Sequence, residues 1–338
     1  MIKCVVWDLD NTLLDGVFLE SPDQPPAPDP ALTGILGELA GRGILQAIAS
    51  RNPPEAAGYA ERATGHSFAA VRCDWGAKSA AVRQIAAELA IATDAVAFVD
   101  DDALERAEVA YALPDVLVLA PDELADAVTW PAFSPAVLTE EGRRRGELYL
   151  QRRQRQEEAR AFGGSRDEFL RYCRTRVRIA PAERADLPRL HELSVRTHQF
   201  NSAGHELSEQ EFGDLAASPR HQVVTVRLSD RFGDDGIVGG CVIATSGAEW
   251  EVPLLMMSCR AIGRGVIDAL LAWVCRTARA AGAPQLIVPC LISPRNVPLR
   301  IALTGAGFRA GQQPQAGHAR YARQLDDPLP ALPGWAAS

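Results

Sequence analysis

Two aspartates at i and i+2, Asp8 and Asp10, follow the apolar run Cys4–Trp7 near the start of a 338-residue chain. At the exit of a strand this spacing brings both carboxyls to one site. There one oxygen can attack an electrophile while the other carboxyl serves as general acid and base. Such chemistry needs a cation nearby. Asp100 and Asp101, after the run Ala95–Val99, offer the hard oxygen ligands that Mg²⁺ takes, so Asp8, Asp10, Asp100 and Asp101 are the candidate metal ligands, with Asp102 behind them. Ser50 ends the run Gly43–Ala49 with a hydroxyl suited to a transferring phosphoryl oxygen. Lys78, in Gly-Ala-Lys-Ser ahead of a helix, can neutralise charge on nucleophile and phosphate. Taken singly, such a Ser or Lys reads as a helix cap or a solvated cation. The order Asp-x-Asp, strand-Ser, Lys-helix, strand-Asp-Asp makes Asp8, Asp10, Ser50 and Lys78 the candidate catalytic set. Lys78 is also compositionally unusual, because only two of 35 basic residues, Lys3 and Lys78, are lysines.

These residues need a sheet to bring them together. The first ~130 residues alternate short apolar runs with helix-like segments, the pattern of a parallel α/β sheet. Ligands bind such sheets beyond the carboxyl ends of the strands, the rim where Asp8, Ser50 and Asp100 are expected to converge. Thr139 to Phe162 is charged and free of proline, and reads as one long surface helix stopped by Gly163-Gly164. Ser165-Arg-Asp-Glu168 has capping-box spacing, and Val177-Arg-Ile-Ala-Pro opens new structure. A helix is expected around Asp186–Thr197 and another from Gly265 to Ala281. Strands are expected near Gln222–Leu228, Gly236–Thr245, Pro253–Met257 and Gln285–Pro289. The expected domains are residues 1–135, a helical linker 136–176, a second α/β domain 177–325, and a poorly packed tail 326–338 rich in Pro and Ala.

Hydrophobic residues make up 47% and charged residues 23%, ordinary for a folded protein with a sizeable core in each half. A net charge of −8 argues against a nucleic-acid binder. No segment approaches the roughly 20 apolar residues of a membrane span, and a cytoplasmic protein is expected. Seven scattered cysteines without a C-x-x-C pair indicate neither a disulfide framework nor a thiolate zinc site.

The four segments resemble the four motifs of the haloacid dehalogenase superfamily. Within it, Cys4-Val-Val-Trp-Asp-Leu-Asp-Asn-Thr-Leu13, Ile48-Ala-Ser-Arg-Asn52, Trp75-Gly-Ala-Lys-Ser79 and Phe98-Val-Asp-Asp-Asp-Ala-Leu-Glu-Arg106 are similar to the FkbH-like branch. So are Arg196-Thr-His-Gln-Phe-Asn201, Leu228-Ser-Asp-Arg-Phe-Gly-Asp234 and Met257-Ser-Cys-Arg-Ala-Ile-Gly-Arg-Gly265 in the second half. The resemblance implies a Rossmann-like catalytic domain without a large cap, followed by a domain like the GNAT acetyltransferases. It also implies Mg²⁺ as cofactor and transfer of a glyceryl unit from 1,3-bisphosphoglycerate to the phosphopantetheine thiol of an acyl carrier protein in polyketide assembly. Two positions depart from the pattern. Ala49 stands where members often carry a cysteine that could relay the acyl group, and Asp102 stands where an asparagine is usual.

Arg260-Ala-Ile-Gly-Arg-Gly265, between a strand and a helix, fits the phosphate-binding loop of the GNAT fold. Its glycines would let backbone N–H groups approach a phosphate at the helix N-terminus. Arg260, Gly263, Arg264 and Gly265 are therefore candidate pantetheine-binding residues; the competing reading is a strand-to-helix turn without a ligand. Cys259 is either an acyl relay or a structural thiol, and His198 either a base or a hydrogen-bonded structural histidine. The arginines at 143–145, 152, 153 and 155 either meet an acidic carrier protein or form a solvated face paired with nearby glutamates. Only roughly 35 residues separate the Asp8 motif from Ser50, too few for a full cap domain, so closure of the site is expected from another domain or a protein partner. A plain phosphatase on a small phosphate ester is the alternative activity. A non-catalytic carrier-protein scaffold is a third reading, opposed by the intact acidic set.

Overall fold

The computed structural model describes residues 1–21, 24–246, 249–311 and 317–335. The chain divides into two compact units, Met1–Gln156 and Glu157–Ser338.

The first unit is built on a five-stranded parallel sheet, order β3-β2-β1-β4-β5, with β1 Cys4–Trp7, β2 Leu45–Ser50, β3 Ala70–Cys73, β4 Val96–Val99 and β5 Leu117–Leu119. Every residue of β1, β2 and β4 is buried, as expected for parallel strands covered on both faces. Alternation along β1 sends Val5 and Trp7 into one core, with Leu36, Leu39 and Leu124, and Cys4 and Val6 into the other, with Val82, Ile85 and Val109. The register Trp7↔Ile48 and Trp7↔Val99 levels the three central strand ends, so Asp8, Ser50 and Asp100 leave the sheet at one rim. A single helix, Pro30–Gly41, and a short 3₁₀ turn, Phe18–Glu20, occupy the described residues between β1 and β2.

The second unit carries a seven-stranded sheet, order β11-β12-β10-β9-β8-β7-β6. Its strands are β6 Arg176–Pro181, β7 His221–Asp230, β8 Gly233–Ser246, β9 Glu249–Met257, β10 Gln285–Leu291, β11 Arg309–Ala310 and β12 His318–Gln324. All pairings are antiparallel except β9 with β10, which is parallel and runs only from Gln285↔Glu249 to Ile287↔Glu251. Beyond it the chain at Phe200–Ser202 spans the two strands. Met257 N–H donates to Phe200 O at 2.9 Å, Leu255 N–H to Ser202 Oγ at 2.8 Å, and Leu291 N–H to Ser202 O at 2.8 Å. The α/β fold class expected from sequence, a parallel-sheet domain followed by a second α/β domain, is the one observed.

Two details differ from expectation. The helix expected from Thr139 to Phe162 is two helices, Glu140–Arg143 and Arg145–Ala161: Thr139 caps the first through Gly142 N–H at 3.2 Å, and that helix ends at Arg144. The tail expected to be poorly packed is held at two places, because Leu329 packs on the second-unit core and Trp335 is 3% exposed beside Gly265. An apolar residue in a proline-rich segment still contributes about 1.5–3 kcal/mol on full burial, enough to hold the chain down. Residues 336–338 of that expected tail lie outside the described residues.

Candidate active site

Lys78 is the hub of the first unit's site. It opens the helix Lys78–Leu89, and its side chain turns inward, leaving the residue 4% exposed. Its ammonium donates to Asp8 Oδ1, to Asp100 Oδ2 at 3.1 Å and to Ala49 O at 2.9 Å, which uses all three N–H groups. The Phe98 ring lies 5.8 Å from Nζ. A buried ammonium without such partners would be strongly unfavourable, so the lysine and the two carboxylates hold one another in place.

Carboxylate oxygens of Asp8, Asp100 and Asp101 lie within 4.8 Å of one another. Three carboxylates against one ammonium leave the cluster with an excess of negative charge, and the donors are hard oxygens. Both features fit a divalent cation such as Mg²⁺, with Asp8, Asp100 and Asp101 as its holders. Burial is the main force pushing the Asp8 carboxyl up to about 6, with Lys78 opposing and Asp100 assisting; burial raises Asp100 as well. The carboxylate of Asp10, expected among the metal ligands, is not in this group: its Oδ1 accepts the Phe18 N–H at 2.9 Å. That bond orients Asp10 at the end of β1, where the proton-transfer role remains open to it.

Ser50 is buried at the end of β2, and its Oγ accepts from Asn52 Nδ2 at 3.1 Å. Three further residues shape the site without having been singled out in the sequence. Asn52 is fully buried and its Oδ1 has no hydrogen-bond partner. Thr12 holds Asp101 at two points: its Oγ1 donates to Oδ1 at 3.1 Å and accepts the Asp101 N–H at 3.0 Å. Arg106 donates to the carbonyls of Asp100 and Asp101 at 2.8 and 2.7 Å, clamping the acidic loop. Their place two residues beyond Asp10 or Ser50, or in the helix after Asp102, was the available signal. Asp102 itself caps the helix Ala103–Ala112, accepting Leu104 N–H at 2.7 Å, and its N–H donates to Asp100 Oδ1 at 2.9 Å.

The loop of the second unit has a different character. Gly263 and Gly265 adopt left-handed φ of +82° and +69°, and Gly265 caps the helix Val266–Ala280, as a strand-to-helix turn requires. The arginines do not line an open phosphate site. Arg264, 5% exposed, is paired with Asp235 and with Asp230 Oδ2 at 2.6 Å, and Arg260, also buried, donates to Asp235 O at 3.2 Å. The Arg264 guanidinium thus neutralises two acids of the β7–β8 hairpin and Arg260 donates to a backbone carbonyl there, while the expected approach of a phosphate is to the backbone N–H groups of the loop. A side chain at Gly263 would meet open space, whereas one at Gly265 would reach the Trp335 indole at 3.1 Å. Cys259 is half-buried with Sγ 4.0 Å from Gln199 Oε1. His198 is exposed and, with Asn201, His205 and Arg295, lines a cavity of about 210 Å³. Asn201 serves the local turn, its Oδ1 accepting the N–H groups of Ala203 and Gly204 at 3.0 Å.

No family model and no curated protein matches the sequence. Among solved structures the chain is similar to the N-terminal part of BF1531 from Bacteroides fragilis, which contains a phosphatase domain complexed with Mg. That match has 25% identity and a TM-score of 0.33, and covers 44% of this chain and 39% of that one. The chain is also similar to the GNAT domain of S. lividans PAT (18% identity, 44% of this chain, 90% of that one, TM-score 0.37). A third likeness is to the ribosomal-protein-S18-alanine N-acetyltransferase of Escherichia coli (16% identity, 44% and 94% covered, TM-score 0.35). Among the described residues, no helix is long and apolar enough to cross a membrane.

Proposed function

We propose that this protein is an Mg²⁺-dependent glyceryltransferase that uses a phosphatase-type site to load a glyceryl unit from 1,3-bisphosphoglycerate onto the phosphopantetheine thiol of an acyl carrier protein. The observation carrying the catalytic half is the Lys78 ammonium shared by Asp8 and Asp100, with Asp101 alongside. Asp8 presents a nucleophilic carboxylate whose position is set by Lys78. Ser50 and Lys78 supply a hydrogen bond and a positive charge to phosphoryl oxygens, and Asp10 protonates the departing oxygen and later deprotonates water. A bound Mg²⁺, held by Asp8, Asp100 and Asp101, would neutralise charge on the phosphoryl group. In the balanced reaction the thiolate attacks the acyl carbon and the acyl phosphate leaves with the bonding pair. Water releases the second phosphate from the three-carbon unit, giving one glyceryl thioester and two phosphates.

Ala49 favours a second reading, a phosphatase acting on a small phosphate ester. At the residue before Ser50 the chain offers Lys78 a backbone carbonyl and has no thiol to relay an acyl group. Purified protein with Mg²⁺, 1,3-bisphosphoglycerate generated in situ and a panel of phosphopantetheinylated carrier proteins separates the two. A glyceryl mass gain on a carrier, absent with Asp8→Asn, is the expected result. Phosphate release with unmodified carrier would transfer the assignment to the phosphatase.

A further inference from the structure

A second site for phosphate chemistry lies apart from the Asp8 cluster, at the β6 edge of the second unit. Arg171, Arg174, Arg176, Arg178 and Arg227 line a cavity of about 820 Å³, within the range of small-molecule sites. Strand alternation puts Arg176 and Arg178 on the same face of β6, and the register sets Arg178 directly opposite Arg227 on β7. Like charges facing each other across a strand pair are unfavourable by themselves. The compensation inside the chain is small. Arg227 is paired with Asp186 Oδ1 at 2.6 Å, and among the described residues no acid is ion-paired with Arg174, Arg176 or Arg178. Asp234 also lines the cavity, but its Oδ1 accepts the Gly236 N–H at 2.8 Å.

An independent observation sits in the same wall. Thr175, between Arg174 and Arg176, is 7% exposed, and its hydroxyl has no hydrogen-bond partner. A buried hydroxyl left unpaired is unfavourable and calls for an explanation. Guanidiniums match phosphate oxygens in bidentate geometry, and a threonine hydroxyl is a usual companion donor.

We infer that this cavity binds a small diphosphate-bearing ligand, its phosphates held by Arg174, Arg176 and Arg178 and by the Thr175 hydroxyl. The inference does not depend on the transferase reading, since none of its residues belongs to the Asp8 site.

The test is isothermal titration of the full chain at low ionic strength in EDTA, with inorganic pyrophosphate and with adenosine diphosphate as probes. Saturable one-to-one binding of both is expected, unchanged in Asp8→Asn and weakened at least about tenfold in Arg176→Glu/Arg178→Glu. Both substituted arginines are exposed, so a preserved circular dichroism melt checks the fold. Thr175→Val should weaken binding about threefold to tenfold while leaving the ligand-free Tm unchanged or higher, because no native hydrogen bond is lost. Four results would overturn the inference: no saturable binding at millimolar probe, binding intact in the double variant, a lower ligand-free Tm for Thr175→Val, or binding of a polyglutamate peptide in place of both probes.

Discussion

The Asp8 cluster and the Arg260–Gly265 loop are both built where a strand gives way to a helix, and both bury charge, yet their charge balance differs. Around Lys78 three carboxylates face one ammonium. Around Arg264, the carboxylates of Asp230 and Asp235 both pair with the Arg264 guanidinium, and a second buried guanidinium, Arg260, donates to the Asp235 carbonyl, so two cations and two acids are gathered there. The first region carries an excess of negative charge that a cation would balance. The second is already complete. Buried charges are retained when neutralised, so the unbalanced cluster is the one equipped for a ligand and the balanced one is equipped for folding.

The largest effect that would sharpen this contrast is on chemistry. Asp8→Asn should lower Mg²⁺-dependent phosphate release by about 10⁴-fold or more, the scale seen when a nucleophile is removed, in a steady-state assay on the purified protein. Arg264→Met should leave the Mg²⁺ requirement of phosphate release unchanged.

Next come the stabilities. Lys78→Met and Arg264→Met each strand buried carboxylates and should each cost about 3–5 kcal/mol in urea unfolding. Saturating Mg²⁺ should restore part of the loss for Lys78→Met, where carboxylates are in excess, and none for Arg264→Met. Equal rescue of both would break the comparison.

A pH effect of about 3 kcal/mol follows from Asp8. Its folded value of about 6 lies above the ordinary 3.8, so the native state favours the protonated form. That contribution is fully present below about pH 4 and is lost as pH rises through about 6. In Mg²⁺-free protein, Asp8→Asn should therefore gain on wild type by up to about 3 kcal/mol between pH 4 and pH 8, read by urea unfolding at each pH. With Mg²⁺ present the gain should vanish, because the cation stabilises the ionised carboxylate.

The smallest effect concerns Thr12. Thr12→Val removes two hydrogen bonds to Asp101 and should cost about 1 kcal/mol in stability and roughly threefold to tenfold in Mg²⁺ affinity by titration calorimetry, with the pH dependence of Asp8 intact.

Much of the first unit was legible in the sequence, for a physical reason. Fully buried parallel strands read as apolar runs, and the polar residue ending each run marks the rim, which located Asp8, Ser50 and Asp100. The edge strands β3 and β5, four and three residues long, were not foreseen, because the apolar runs that carry them, Phe68–Val71 and Val116–Leu119, do not end on a residue of the site. Thr12 went unassigned because its role depends on a partner that folding brings near, Asp101, 89 residues away, whereas Arg106 acts locally, on backbone carbonyls five and six residues back that no side-chain pattern announces. The partners of Arg260 and Arg264 were hidden for the same reason as that of Thr12, since the Asp235 carbonyl that accepts from Arg260 and the two acids that pair with Arg264 lie 25–34 residues upstream. The loop motif showed its turn geometry in its glycines, but not the destination of its charges.

The most direct test of the Asp8 assignment is to trap its covalent intermediate. Protein mixed with Mg²⁺ and 1,3-bisphosphoglycerate generated in situ, quenched in acid and read by intact mass and peptide mapping, should carry one phosphoryl group on Asp8 and none in Asp8→Asn. An adduct on another residue, or turnover by Asp8→Asn at the wild-type rate, would contradict the account.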